Sequence, residues 1–134
     1  MVHREPPFQL LYVSQLAPGF DFAVVKEIVD VARQRNRELH ITGALLFDGE
    51  RFCQLLEGAQ DDVRALMQRI ARDPRHIDVR VVLEGVAHGA RLMPRWASGY
   101  CDPLLIEALG AEGGPRKQAA LDAFASMLED ADME

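Results

Sequence analysis

Cysteine is scarce. The chain has two in 134 residues, Cys53 and Cys101, neither in a closely spaced pair. A disulfide framework or a zinc site is therefore not expected, and reduced, packed thiols fit an intracellular setting. Positive charge is also short: 15 Lys and Arg against 21 Asp and Glu leave a formal net charge of −6. No basic block stands out, which argues against a nucleic-acid footprint or an anionic membrane surface as partner. No apolar run approaches the roughly 20 residues that cross a bilayer, and the start, MVHREPPF, lacks a signal-peptide core. A cytoplasmic protein is the expectation. The four histidines, His3, His40, His76 and His88, have no metal-ligand spacing. P-loop, GxGxxG, GxSxG and HExxH signatures are missing.

What is present is an alternation of short apolar runs and amphipathic stretches. FQLLYVSQ (8–15) reads as a strand closed by the turn signal Pro18-Gly19. Asp21 is a plausible N-cap for a helix from about 22 to 36, with Phe22, Val25, Ile28 or Val29, and Ala32 in one stripe. ITGALLFDGERFCQLLEG reads as two strands joined by the hairpin pair Asp48-Gly49. DDVRALMQRIARDP is a second helix, with Val63, Leu66, Met67 and Ile70 on one side, aspartates at its positive end and Pro74 as its stop. IDVRVVLEGV is a further strand, and RWASGYC a short fifth one.

Strand–helix–strand–strand–helix–strand is the order of a ferredoxin-like α+β sandwich. Right-handed crossovers predict that the first and third strands are parallel neighbours at the sheet centre. The two helices would lie side by side with their C-terminal ends at one edge. The runs LLYV, ALLF, QLL and VRVVL are apolar on both alternating faces, so the sheet should be covered twice. The segment after Pro103, with helix-like LLIEALG and KQAALDAFASMLEDA, is the expected second cover. The division is residues 1–102 as the main unit and 103–134 as a C-terminal helical extension.

A few polar residues break the core pattern. Alternation puts Tyr12 on one face with Phe8, Leu10 and Ser14, and Gln54 on one face with Phe52 and Leu56. The first helical stripe continues to Asn36, and the second runs on to Asp73, Arg75 and His76. Converging between helices and sheet, they would line an apolar cleft with a few donors and acceptors, the usual make-up of a cofactor site. Each also has a plainer reading: Asn36 as a helix end, Tyr12 as a satisfied core phenol, Arg75 as a solvated charge, His76 as a turn residue. Gln54 is the hardest to dismiss, because an unpartnered buried amide costs about 1–3 kcal/mol; bonding to Tyr12 alone would satisfy part of it.

LLYVSQ, the AR before Asn36, ITGALLFDGERFCQLLEG, DPRH and Trp96 together resemble the BLUF family of blue-light sensors that use FAD, over roughly residues 8–100. The resemblance implies a photoreceptor, not an enzyme. Tyr12 and Gln54 would be the photoactive pair, bonded to each other and to the flavin. Asn36 would hold the carbonyl and ring N–H edge, with Asp73, Arg75 and His76 near the ring or its ribityl chain. Ile41 and Phe52 would sandwich the ring, and Arg33 or Arg35 would be weak phosphate candidates. A phenol beside an excited flavin can donate an electron and then a proton, and a primary amide can rotate or tautomerise to rewire the hydrogen bonds. The signal would leave through the Trp96 segment and the C-terminal helices.

The chain departs from the family pattern of an aromatic residue, a tryptophan and then a methionine two residues on. Met93 stands at the aromatic position and Ser98 at the methionine position, so Met93, Trp96 and Ser98 are the relay candidates. Partners implied are FAD, a downstream protein and a second copy of the chain, with no nucleic acid and no membrane. A relative serving as an interaction module without photochemistry stays open on account of Ser98. An acylphosphatase-like hydrolase is disfavoured, since the loop SQLAPGFD holds no cation to cradle an anion.

Overall fold

Among the described residues of the computed structural model, ten elements follow one another: β1 (Phe8–Leu16), α1 (Phe22–Glu38), β2 (Thr42–Phe47), β3 (Arg51–Gly58), α2 (Gln60–Arg72), β4 (His76–Val86), β5 (Trp96–Tyr100), α3 (Leu105–Gly110), α4 (Lys117–Asp130) and β6 (Asp132–Met133). The structure describes residues 6–134; His3 and the rest of residues 1–5 lie outside the described residues. The strands form one sheet in the order β4-β1-β3-β2-β5-β6.

Local chemistry accounts for the element ends. Asp21 caps α1, its carboxylate accepting from the Ala23 N–H at 3.0 Å. In the β2–β3 hairpin, Asp48 accepts from the N–H groups of Glu50 and Arg51 at 2.9 and 2.7 Å, while Gly49 takes φ +100°. Asp61 and Asp62 sit in the first turn of α2, where the free N–H groups favour negative charge. Gly43 is required by close approach: a Cβ there would lie 1.8 Å from the Leu55 carbonyl oxygen.

The sandwich is as expected, but two topological expectations are corrected. β1 and β3 are antiparallel, with Tyr12 directly opposite Gln54. The crossover rule makes parallel the two strands joined through a helix, β1 with β2 and β3 with β4. Hairpin-linked β3 enters beside β1 in the opposite direction. The helix C-termini consequently lie at opposite ends of the sheet. α1 leads into Thr42, level with Gln9 across Glu57, and α2 leads into His76, which pairs with Leu16. β4 is an edge strand and largely exposed, so the VRVVL run is not covered on both faces as its apolar pattern suggested. Phe22 leaves the α1 stripe: it is 58% exposed and stacks on Tyr100 at 5.8 Å.

Both faces of the sheet are covered. Leu11, Val13, Cys53 and Leu55 pack under α3 and α4 against Ile106, Leu121 and the fully buried Phe124. On the other face α2 lies over β1, β3 and β4, while α1 lies over β2 and β5. The seam between those helices runs above the middle of β1 and β3, where Tyr12 and Gln54 face one another. β6, too short to leave a sequence signal, pairs with β5 and packs Met133 over Gly99.

Candidate functional site

Gln54 is buried in β3 and bonded at both ends of its carboxamide along one line. The indole Nε1–H of Trp96 donates to its Oε1 at 2.9 Å, and its Nε2 donates to the Tyr12 hydroxyl oxygen at 2.7 Å. Donor chemistry fixes this orientation. An indole can only donate, so the carboxamide oxygen must face Trp96 and the NH2 group must face Tyr12. The phenol accepts from Gln54, and among the described residues its own proton has no acceptor within bonding distance. Burial pushes the Tyr12 phenol well above its usual value, more than the Gln54 hydrogen bond lowers it. The phenol is therefore neutral across the ordinary pH range.

Asn36 is fully buried at the last turn of α1, and its Nδ2 has no partner. Its Oδ1 accepts a long bond from Arg35 Nε at 3.4 Å. An orphaned buried amide donor is costly without a ligand, by about 1–3 kcal/mol, and suits an acceptor such as a ring carbonyl. Asn36, Ile41 and Trp96 line one open cleft of about 730 Å³ at the end of α1. Ile41 also packs in the cluster of Tyr12, Leu10 and Leu56.

At the far end of the seam His76 lies 4.7 Å from the Phe52 ring and 6.5 Å from Tyr12, and its Nδ1 shares a 2.9 Å hydrogen bond with the Ser14 hydroxyl. Burial lowers the His76 pKa, against the raising effect of Asp73. Asp73 and Arg75 form a forked pair, with contacts of 2.6 to 3.1 Å. That bonding holds the Asp73 carboxyl below its ordinary value and raises Arg75. The charges of Arg35 and Asp73 both reach the Tyr12 phenol. Arg35 is itself depressed by burial and by the charge of Arg69 on α2.

The structure thus joins Tyr12, Gln54 and Trp96 directly, and packs Phe52 and His76 alongside. Arg33 lines the same cleft as Asn36 and Ile41; its guanidinium donates to the Ser98 hydroxyl at 3.1 Å and lies 5.4 Å from the centre of the Trp96 ring. Met93 contributes its backbone, its N–H donating to Glu57 at 3.0 Å. Sequence reasoning missed Glu57. This buried carboxylate also accepts from Leu92 N–H and Gln9, pinning the loop that leads to Trp96. Its one signal was a charged residue ending an otherwise apolar strand.

The arrangement fits a flavin: a seam with apolar walls, an unsatisfied amide donor in Asn36, a phenol with a free proton, and a carboxamide able to exchange partners. Comparisons with known proteins agree. The sequence model of the BLUF family, sensors of blue-light using FAD, matches residues 8–99. The blue light- and temperature-regulated antirepressor BluF of Escherichia coli is 37% identical over 70 residues, 52% of this chain and 17% of that protein. The photoactivated adenylate cyclase subunit beta of Euglena gracilis is 41% identical over 73 residues, 54% of this chain and 8% of that protein. The chain thus spans less than a fifth of the length of these curated relatives. Among solved structures, the dark state of the BLUF protein BlrB superposes with a TM-score of 0.63 at 30% identity, covering 72% of this chain and 75% of that one. The ground state of BlsA gives 0.77 at 22% identity over 96% and 91% of the two chains, a likeness of fold. With the family match running from β1 to Gly99 of β5, and so taking in both helices over the seam and the Tyr12–Gln54–Trp96 line, this chain belongs to the BLUF family of blue-light sensors, with FAD as its cofactor.

Proposed function

We propose that the chain signals light by rearranging the carboxamide of Gln54 between Tyr12 and Trp96. The observation that carries this is the unbroken line from Trp96 Nε1–H through Gln54 to the Tyr12 hydroxyl. A flavin bound in this seam would supply, on absorbing blue light, an acceptor for one electron. Tyr12 would give that electron, and its phenolic proton, made strongly acidic by the loss, would follow to the same acceptor. The bond from Gln54 Nε2 would then weaken and the carboxamide would turn or tautomerise before electron and proton return to the Tyr12 oxygen. Asn36 would hold the ring carbonyl and N–H edge through its side-chain amide. Asp73, Arg75 and His76 would sit near the ring or its ribityl chain, and Ile41 and Phe52 would wall it.

The change leaves the site through β5, by way of Trp96, Ser98 and the loop holding Met93. Output is contact with a downstream protein in the cytoplasm, with self-association of the chain, and without nucleic acid or membrane as partner. The sensing unit is residues 1–102, with 103–134 as the helical extension that transmits the change. No helix among the described residues is long and apolar enough to cross a membrane. The test is spectroscopic: protein loaded with FAD should red-shift its absorption reversibly in blue light. Tyr12→Phe and Gln54→Leu should each bind flavin and lose the shift. Retention of the shift in both variants would end the proposal.

A further inference from the structure

The geometry points to Arg33 as a positioning residue that braces the Trp96 indole against Gln54 and thereby shortens the life of the light-adapted state. The inference rests on the Gln54 rearrangement proposed above and adds a residue to it.

Arg33 is placed for this by α1, which lies over β2 and β5. Its guanidinium makes two contacts, both to β5: the hydrogen bond to the Ser98 hydroxyl at 3.1 Å and the 5.4 Å approach to the Trp96 ring. Among the described residues no carboxylate lies within ion-pair distance of it. A planar cation can do both at once, stacking through its face and donating through its edge. Ser98 and Trp96 are each only 6% exposed, so their ends of the two contacts are buried, while the Arg33 guanidinium is half-buried where the cleft opens.

The brace matters because of donor arithmetic. In the present arrangement the Trp96 N–H meets the Gln54 carbonyl oxygen at 2.9 Å. A rotated carboxamide presents NH2 to the same indole, donor against donor, with no bond possible. An indole free to swing would relax away from that mismatch, whereas an indole held by Arg33 and Ser98 cannot. The held mismatch raises the free energy of the rearranged state and speeds its return.

Trp96 is the only tryptophan in the chain, so indole emission reports this one position with or without flavin. In flavin-free protein, Arg33→Met should shift that emission to the red and raise its quenching by acrylamide about threefold. Loaded with FAD, the same variant should keep the reversible absorption shift but recover in the dark about three- to tenfold more slowly, the loss of one cation–π contact and one charged hydrogen bond. Ser98→Ala, which deletes a single oxygen, should slow recovery less, and Arg33→Lys should fall between wild type and Arg33→Met. Wild-type emission and recovery in both Arg33→Met and Ser98→Ala would overturn the inference. So would loss of flavin from Arg33→Met with unchanged emission, which marks Arg33 as a cofactor holder. If Arg33→Met fails to fold, Ser98→Ala decides. A wild-type protein without any reversible shift would sink the Gln54 reading, while the flavin-free emission would still decide the brace.

Discussion

Replacing Gln54 by leucine tests whether the Tyr12–Gln54–Trp96 line is a coupled unit or a coincidence of packing. The substitution keeps the volume roughly constant and leaves two buried groups stranded, the Trp96 N–H and the Tyr12 hydroxyl, whose present bonds are 2.9 and 2.7 Å long. Two stranded groups cost about 2–6 kcal/mol together, and burial of the leucine recovers about 1–2 kcal/mol. The net loss is about 0–5 kcal/mol, at its upper end a large share of the about 5–15 kcal/mol that holds an ordinary domain. Repeating the substitution in a Tyr12→Phe background removes one stranded group in advance, because phenylalanine has no hydroxyl to satisfy. Gln54→Leu should then cost about 1–2 kcal/mol less than in the wild type. Urea unfolding of the flavin-free proteins, followed by far-ultraviolet circular dichroism, measures all four corners of this cycle. Additivity within about 0.5 kcal/mol, the behaviour of independent sites, would refute the coupling.

Four further outcomes follow from other parts of the molecule. Asn36→Ala should weaken flavin binding about tenfold or more, measured by fluorescence titration, yet leave flavin-free stability nearly unchanged, since its Nδ2 bonds to nothing in the protein. The His76 imidazole is depressed by burial below 6.5, so the unfolded chain binds its proton first as pH falls. Stability should accordingly drop from about pH 6.5 downward and level off below the folded value; unfolding midpoints in His76→Gln should lack that drop. A second loss begins near 3.8, where the depressed Asp73 carboxyl is protonated in the unfolded chain first. Phe124→Ala, in the fully buried centre of the α3–α4 face, should cost about 3–5 kcal/mol. A cost below about 1 kcal/mol would show that the extension is not integral to the sheet.

Much of this was legible in the sequence, and the reasons for the rest are physical. Periodicity located every long element, because apolar spacing is dictated by which face is buried: Val63, Leu66, Met67 and Ile70 are all buried on α2. Gln54 announced itself as an amide in an apolar strand, and its opposite number Tyr12 followed from the strand order. Direction was less accessible. Parallel and antiparallel neighbours leave the same alternation, so β1 against β3 had to be seen in the register. Side chains that bridge elements were hidden for another reason. Arg33 is polar on a helix that needs polar residues, and nothing in its neighbours in sequence says that Ser98, 65 residues away, will receive it. Phe22 misled in the opposite sense: it continues the stripe but projects past the core onto Tyr100.

The central claim is that Gln54 changes the partner it offers Trp96 when light is absorbed, and the single indole of the chain lets this be watched directly. Light-minus-dark infrared spectra of the FAD-loaded protein, with the tryptophan isotopically labelled, isolate the indole N–H stretch. The expected result is a reversible shift of that band to higher frequency as its hydrogen bond is lost, absent from Gln54→Leu. An indole band that stays fixed while the flavin absorption still shifts to the red would contradict the account.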